Sequence, residues 1–95
     1  MKIVLFSTKP YDKIWFEPLS GQYGMEVKFL EPKLDEDTVF MAKGSELVCA
    51  FVNDILNDKV IAELKRLEIK GILMRCAGYN NVDLNAAFEY GIPVM

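Results

Sequence analysis

The chain has no histidine anywhere in its 95 residues. That absence argues against a self-contained hydrolase triad, a typical catalytic zinc site and a histidine proton shuttle, all built around an imidazole. Its six glycines, at 21, 24, 44, 71, 78 and 91, never fall into Gly-x-Gly-x-x-Gly spacing. A dinucleotide loop of that kind is therefore not encoded here. The two cysteines, Cys49 and Cys76, show no Cys-x-x-Cys spacing and lie in or beside apolar runs. Reduced, buried thiols are the expectation. No apolar run approaches the roughly 20 residues that a bilayer span needs. The start, "MKIVLFSTKPYD", is too short in its apolar part for a secretory leader and lacks a small-residue cleavage site. A cytoplasmic location is expected. The net charge of −3 comes with no basic patch and no basic amphipathic helix. Neither nucleic acid nor an anionic membrane surface is an expected partner.

What the chain does have is ordinary globular material: 52% hydrophobic and 26% charged residues, enough for one small core. "KIVLFS" (2–7) is a near-continuous apolar run, the signature of a strand buried on both faces. "YDKIWFEPLSGQYG" carries Ile14, Trp15, Leu19 and Tyr23 at helical spacing, with Pro18 predicting a short or kinked helix. "MEVKFLEP" alternates, as an edge strand does. "KLDEDTVFMAKGS" predicts a short helix capped around Asp35 to Asp37 and stopped at Gly44.

"ELVCAFV" is a third strand. The helix after it presents Val60, Ile61, Leu64 and Leu67 inward, with Asn57 or Asp58 as N-cap. "KGILM" is a fourth strand. "VDLNAAFEYG" is a helix with Leu84, Ala87 and Phe88 inward and Gly91 at a left-handed position. "IPVM" begins a fifth strand.

Alternating strands and helices with short loops give an α/β fold, a doubly wound parallel sheet with right-handed crossovers. The expected order is 2-1-3-4-5, flavodoxin-like. A fifth strand this short would leave an apolar edge exposed, so the chain is expected to be truncated at or in that strand, a piece of something longer.

Ligands of such sheets bind outside the carboxyl ends of the strands, which directs attention to residues 7–12, 53–57 and 75–81. "STKPYD" lacks the small hydroxyl and glycine residues of a flavin-phosphate loop and reads as a surface turn, or places Tyr11 over a neighbouring cleft. Asn53 and Asp54 suit turn chemistry, because the acidic pair that a phosphoacceptor domain needs after its first strand is missing.

"MRCAGYNNVD" (74–83) is the unusual loop. Ala77, Gly78 and Tyr79 can present consecutive backbone N–H groups, a nest suited to a carboxylate. Asn80, Asn81 and Asp83 can lock the turn and cap the next helix, and Arg75 can pair with an acid such as Asp83. Spacing alone leaves two readings open: a carboxylate nest, or an elaborate helix cap with no ligand.

The stretches "MKIVLFSTKPYDKIWF", "FLEPKLDEDT", "FVNDIL" and "MRCAGYNNVDLNAA" together resemble the D-2-hydroxyacid dehydrogenases, most nearly the bacterial fermentative NAD-dependent D-lactate members. The resemblance runs from Met1 to Met95. It implies that residues 1–95 are the N-terminal part of a substrate-binding (catalytic) domain, with the NAD-binding Rossmann domain outside this chain. It implies a small 2-hydroxy or 2-oxo acid as substrate, its carboxylate held by amides of Ala77 and Gly78 beside Tyr79. Leu56 or its neighbours would meet the substrate's small side chain.

NAD would serve the full-length enzyme, a homo-oligomer, and none would be bound by this chain. The family's catalytic Arg, Glu and His would all lie beyond residue 95, so the 95 residues alone are expected to be inactive. The competing expectation is a free-standing module that binds a small carboxylate or a protein partner.

Overall fold

A computed structural model describes residues 1–75 and 81–95, the side chains of 19, 20 and 23 aside. Four strands, β1 (Lys2–Leu5), β2 (Glu26–Phe29), β3 (Leu47–Ala50) and β4 (Gly71–Met74), form one parallel sheet in the order β2-β1-β3-β4. The register sets Val4 beside Val48 and Val48 beside Ile72. Val94 bridges to Ile72 in parallel, and Met95 N–H donates to the Ile72 carbonyl at 2.8 Å. "IPVM" thus occupies the fifth place beside β4, as the alternation predicted.

Alternate residues of each strand go to opposite faces. Val4, Phe6, Val48, Ala50 and Ile72 join Val60, Ile61 and Leu64 of α2 (Asp58–Arg66) and Ala86 and Ala87 of α3 (Leu84–Glu89) in the main core. The opposite face is covered by α1 (Pro10–Tyr23). Among the described residues only Ile3, Leu5 and Cys49 are fully enclosed there, with Phe16, Met25, Phe29, Leu47 and Leu73 half-buried around them.

α2 follows the sequence closely. Asn57 is its N-cap, its side chain accepting from Val60 N–H at 2.9 Å, and Lys65 and Arg66 sit at the negative end of the helix dipole. Asp83 caps α3 by accepting from Ala86 N–H at 3.0 Å, and Gly91 at φ 69° makes the left-handed exit.

Four local expectations are corrected. The first strand ends at Leu5, because Ser7 turns off the sheet at φ 53°. α1 is a 14-residue helix containing Pro18, and its orientation differs from the one expected: Ile14 and Trp15 point to solvent, Trp15 73% exposed, while Asp12 is buried and Phe16 half-buried. Residues 35–44 form no α-helix. Asp35 Oδ1 accepts from the N–H groups of Asp37 and Thr38, a local turn that leaves only a 3-10 turn at Val39–Ala42. In α3 the inward residues are the two alanines, and Phe88 is 87% exposed.

Candidate functional site

At the carboxyl end of the sheet the chain leaves β1, β3 and β4 through three adjoining loops. Their packing is governed by buried polar groups. Asp54, 1% exposed, is the centre of the first cluster. Its Oδ1 accepts from Ser7 Oγ at 2.6 Å and Leu34 N–H at 2.7 Å, and its Oδ2 accepts from Phe51 N–H at 2.7 Å. One carboxylate therefore joins the exits of β1 and β3 to the segment after β2. It also holds Ser7 in a left-handed conformation that a side chain rarely adopts.

Arg75 is the second centre, its side chain only 10% exposed. Nη1 stands 3.2 Å from Asp12 Oδ2. Nη2 donates to the Phe6 carbonyl at 2.5 Å and lies 3.3 Å from the Ser7 carbonyl. The guanidinium also lies over the Phe51 ring, 5.2 Å from its centroid. Its backbone N–H donates to the Ala50 carbonyl at 2.8 Å. The expected pairing of Arg75 with Asp83 is thus corrected: Asp83 is engaged as a helix cap, and the partner acid is Asp12. Asp12 reaches this position because it also accepts from Lys9 N–H at 2.7 Å, closing the first turn of α1.

On the far side of the loop, Asn81 Nδ2 donates to two carbonyls of the β3 exit, Phe51 at 2.9 Å and Asp54 at 2.8 Å. The Asn81 carbonyl accepts from Leu56 N–H at 3.0 Å, and Val82 pairs with Leu56. A cavity of about 370 Å³ opens here, lined by Ile55, Leu56, Asn57, Asn81, Val82 and Asp83.

Ala77, Gly78 and Tyr79, the residues singled out for the carboxylate, lie outside the described residues, as do Cys76 and Asn80. Leu56 is described, and its side chain is fully enclosed in the main core. The neighbour with apolar surface at the loop is Ile55, 41% exposed.

Sequence reasoning missed three parts of this arrangement. Asp54 is a buried keystone as well as a turn former. Asp12 and Arg75 are 63 positions apart, so no local pattern joins them. The two carbonyls gripped by Asn81 carry no side-chain signal at all. The local signal that could have pointed to Asp12 is an acid three residues after Lys9, at the start of a helix.

Cys49, on the α1 side of β3, is unsuited to nucleophilic work. Burial pushes its thiol from an ordinary 9.0 up to about 12, with Arg75 pulling less strongly the other way. The neutral thiol thus favours the folded state below about pH 9, and that contribution is lost as pH rises towards 12. At pH 8 iodoacetamide is expected to leave Cys49 unmodified in the native protein and to label it after denaturation, as read by peptide mass mapping. Native labelling at Cys49 would show that solvent reaches β3.

Among the described residues no helix is long and apolar enough to cross a membrane, and no group of three or more metal-ligating side chains is found.

The profile of the D-isomer specific 2-hydroxyacid dehydrogenase catalytic domain matches residues 3–95. D-lactate dehydrogenase of Escherichia coli K12 is 45% identical over 95 residues, which are all of this chain and 29% of that protein. The apo structure of D-lactate dehydrogenase from E. coli superposes with a TM-score of 0.95 at 46% identity, covering 99% of this chain and 30% of that one. D-lactate dehydrogenase with NAD+ from Lactobacillus jensenii superposes at 0.89 with 25% identity, covering 99% and 29%. The chain therefore spans under a third of the length of the relatives that it matches. The family profile covers all but the first two residues, and the chain belongs to the D-isomer specific 2-hydroxyacid dehydrogenases.

Proposed function

We propose that residues 1–95 are the N-terminal part of the substrate-binding domain of a cytoplasmic, NAD-dependent D-lactate dehydrogenase that reduces pyruvate in its full-length, homo-oligomeric form. The segment after β4 holds the substrate carboxylate through the amides of Ala77 and Gly78, with Tyr79 beside them. Ile55, backed by Leu56, meets the substrate's methyl group. The observation that carries this reading is the placement of Arg75 and Asn81. Both ends of the proposed carboxylate loop are fixed against the β3 exit at the carboxyl edge of a parallel sheet, where such folds place ligands.

These 95 residues do not fit a dinucleotide, since the glycine spacing of a phosphate-binding loop is missing. Nor do they offer an imidazole to protonate a ketone oxygen, the chain having no histidine. In this reading the chain's own contribution is confined to binding and orienting the acid. The test is a comparison of pyruvate-dependent NADH oxidation by the purified 95-residue chain and by a full-length polypeptide that contains it. Turnover is expected from the second only. Turnover by the isolated chain, or none by the long one, would overturn the proposal.

A further inference from the structure

We infer that the buried hydrogen bond from Ser7 to Asp54 is a positioning contact for substrate size. It fixes where the turn from Phe51 to Leu56 carries Ile55, and so how large a side chain the site accepts on a 2-oxo acid. The inference rests on the reading above that Ile55 meets the substrate's methyl group, and adds to it the contact that holds Ile55 in place.

The backbone of Ile55 is tied to the segment after β2. Its N–H donates to the Leu34 carbonyl at 2.7 Å, and Leu34 N–H donates in turn to Asp54 Oδ1 at 2.7 Å. Leu34 is itself fully enclosed in the main core, so this clamp is a rigid reference. Asp54 closes the turn from within, its Oδ2 accepting from Phe51 N–H and its own N–H donating to the Phe51 carbonyl at 3.0 Å. Held in this way, the turn presents Ile55, 41% exposed, to the cavity of about 370 Å³ that Val82 and Asp83 also line.

The third bond of Asp54 is the unusual one. Ser7 Oγ donates to Oδ1 at 2.6 Å from a residue standing at φ 53°, a conformation that glycine adopts freely and serine does not. Ser7 N–H donates to the Pro32 carbonyl at 2.9 Å, so the carboxylate is referred both to the exit of β1 and to the segment after β2. Stability alone does not call for this arrangement. A glycine would relax the backbone, and an apolar pair of the same shape can replace a buried hydrogen bond at little cost. What the hydroxyl and carboxylate add is direction, because their bond fixes a distance and an angle.

Placement matters at such a site. One methylene in a hydrophobic pocket is worth roughly 10- to 200-fold in selection, so a small displacement of Ile55 shifts the choice between pyruvate and 2-oxobutyrate by part of that factor.

The experiment uses a full-length dehydrogenase containing this chain and three variants: Ser7→Gly, Asp54→Asn and Ile55→Ala. Ser7→Gly removes the hydroxyl and the backbone strain together, so it is the variant that separates positioning from stability. Asp54→Asn keeps the shape of the side chain and serves should Ser7→Gly fold poorly. Both are expected to change the ratio of kcat/KM for 2-oxobutyrate and pyruvate about 5-fold, with Kd for NADH within about 2-fold.

A contact that served stability alone would lower the active fraction and leave that ratio at the parent value. An unchanged ratio in either folded variant overturns the inference. Ile55→Ala tests the underlying reading. If it changes the ratio and the other two do not, only the positioning role of Ser7 and Asp54 fails. If it leaves the ratio intact, the assignment of Ile55 fails and the inference falls with it.

Discussion

Replacement of Asp54 by alanine is expected to lower unfolding stability by about 4 kcal/mol, the range found when one member of a buried charged network is removed. The loss has three parts: Ser7 Oγ and Leu34 N–H, both on buried residues, and the N–H of half-buried Phe51 each lose their acceptor. The left-handed Ser7 is also released from one of its restraints. Asp54→Asn is expected to cost roughly half as much, because one of its two terminal atoms still accepts while the amide nitrogen faces a donor. Urea denaturation gives the measurement. An Asp54→Ala midpoint within error of the parent would mean that the three donors find other partners and that the carboxylate is not the keystone of this end of the sheet.

Leu56→Ala is expected to cost about 3 kcal/mol, within the 2–5 kcal/mol range for deleting a fully enclosed leucine side chain. No part of Leu56 is exposed, and its N–H and carbonyl are both committed, to Asn81 and Asp83. The surrounding strands and α2 have little room to collapse into the space left behind. In a full-length dehydrogenase the same change is expected to leave the ratio of kcat/KM for pyruvate and 2-oxobutyrate near that of the parent. Ile55→Ala, at the exposed neighbour, is expected to shift that ratio at little cost in stability. A Leu56→Ala enzyme of unchanged stability and altered preference would reverse these assignments.

The strands were legible because apolar runs of this length, spaced by helical segments, have few other homes. α2 was legible in outline: the apolar stripe at 60, 61 and 64 lies inward, the cap falls on Asn57 of the two residues the sequence offered, and Leu67 is the half-buried C-cap. α1 was not, and the reason is geometric. The helix carries apolar residues on more than one side, and periodicity does not say which side meets the sheet. Here the choice falls to Asp12 and Phe16, because Asp12 is drawn inward by an arginine 63 residues away.

α3 misled in another way. Its contact face is alanine, which lets the backbone come close, while the larger Leu84 and Phe88 remain outside. The segment at 35–44 failed because Asp35 and Thr38 compete for the backbone N–H groups that a helix start needs. The segment proposed to hold a carboxylate was recognisable as a string of letters, but the contacts of Arg75 and Asn81 at its two ends were not. Arg75 acts on carbonyls of residues 6 and 7, and Asn81 on carbonyls of residues 51 and 54, contacts that any side chain at those positions would permit.

The outward face of α1 has a practical outcome for such measurements. The chain has a single tryptophan, and in the folded state it already stands largely in water. Its fluorescence therefore changes little when the isolated chain unfolds, and an apparently flat trace would say nothing about Asp54 or Leu56. Far-ultraviolet circular dichroism, which follows the peptide groups of three helices and a sheet, is the signal that registers the transition.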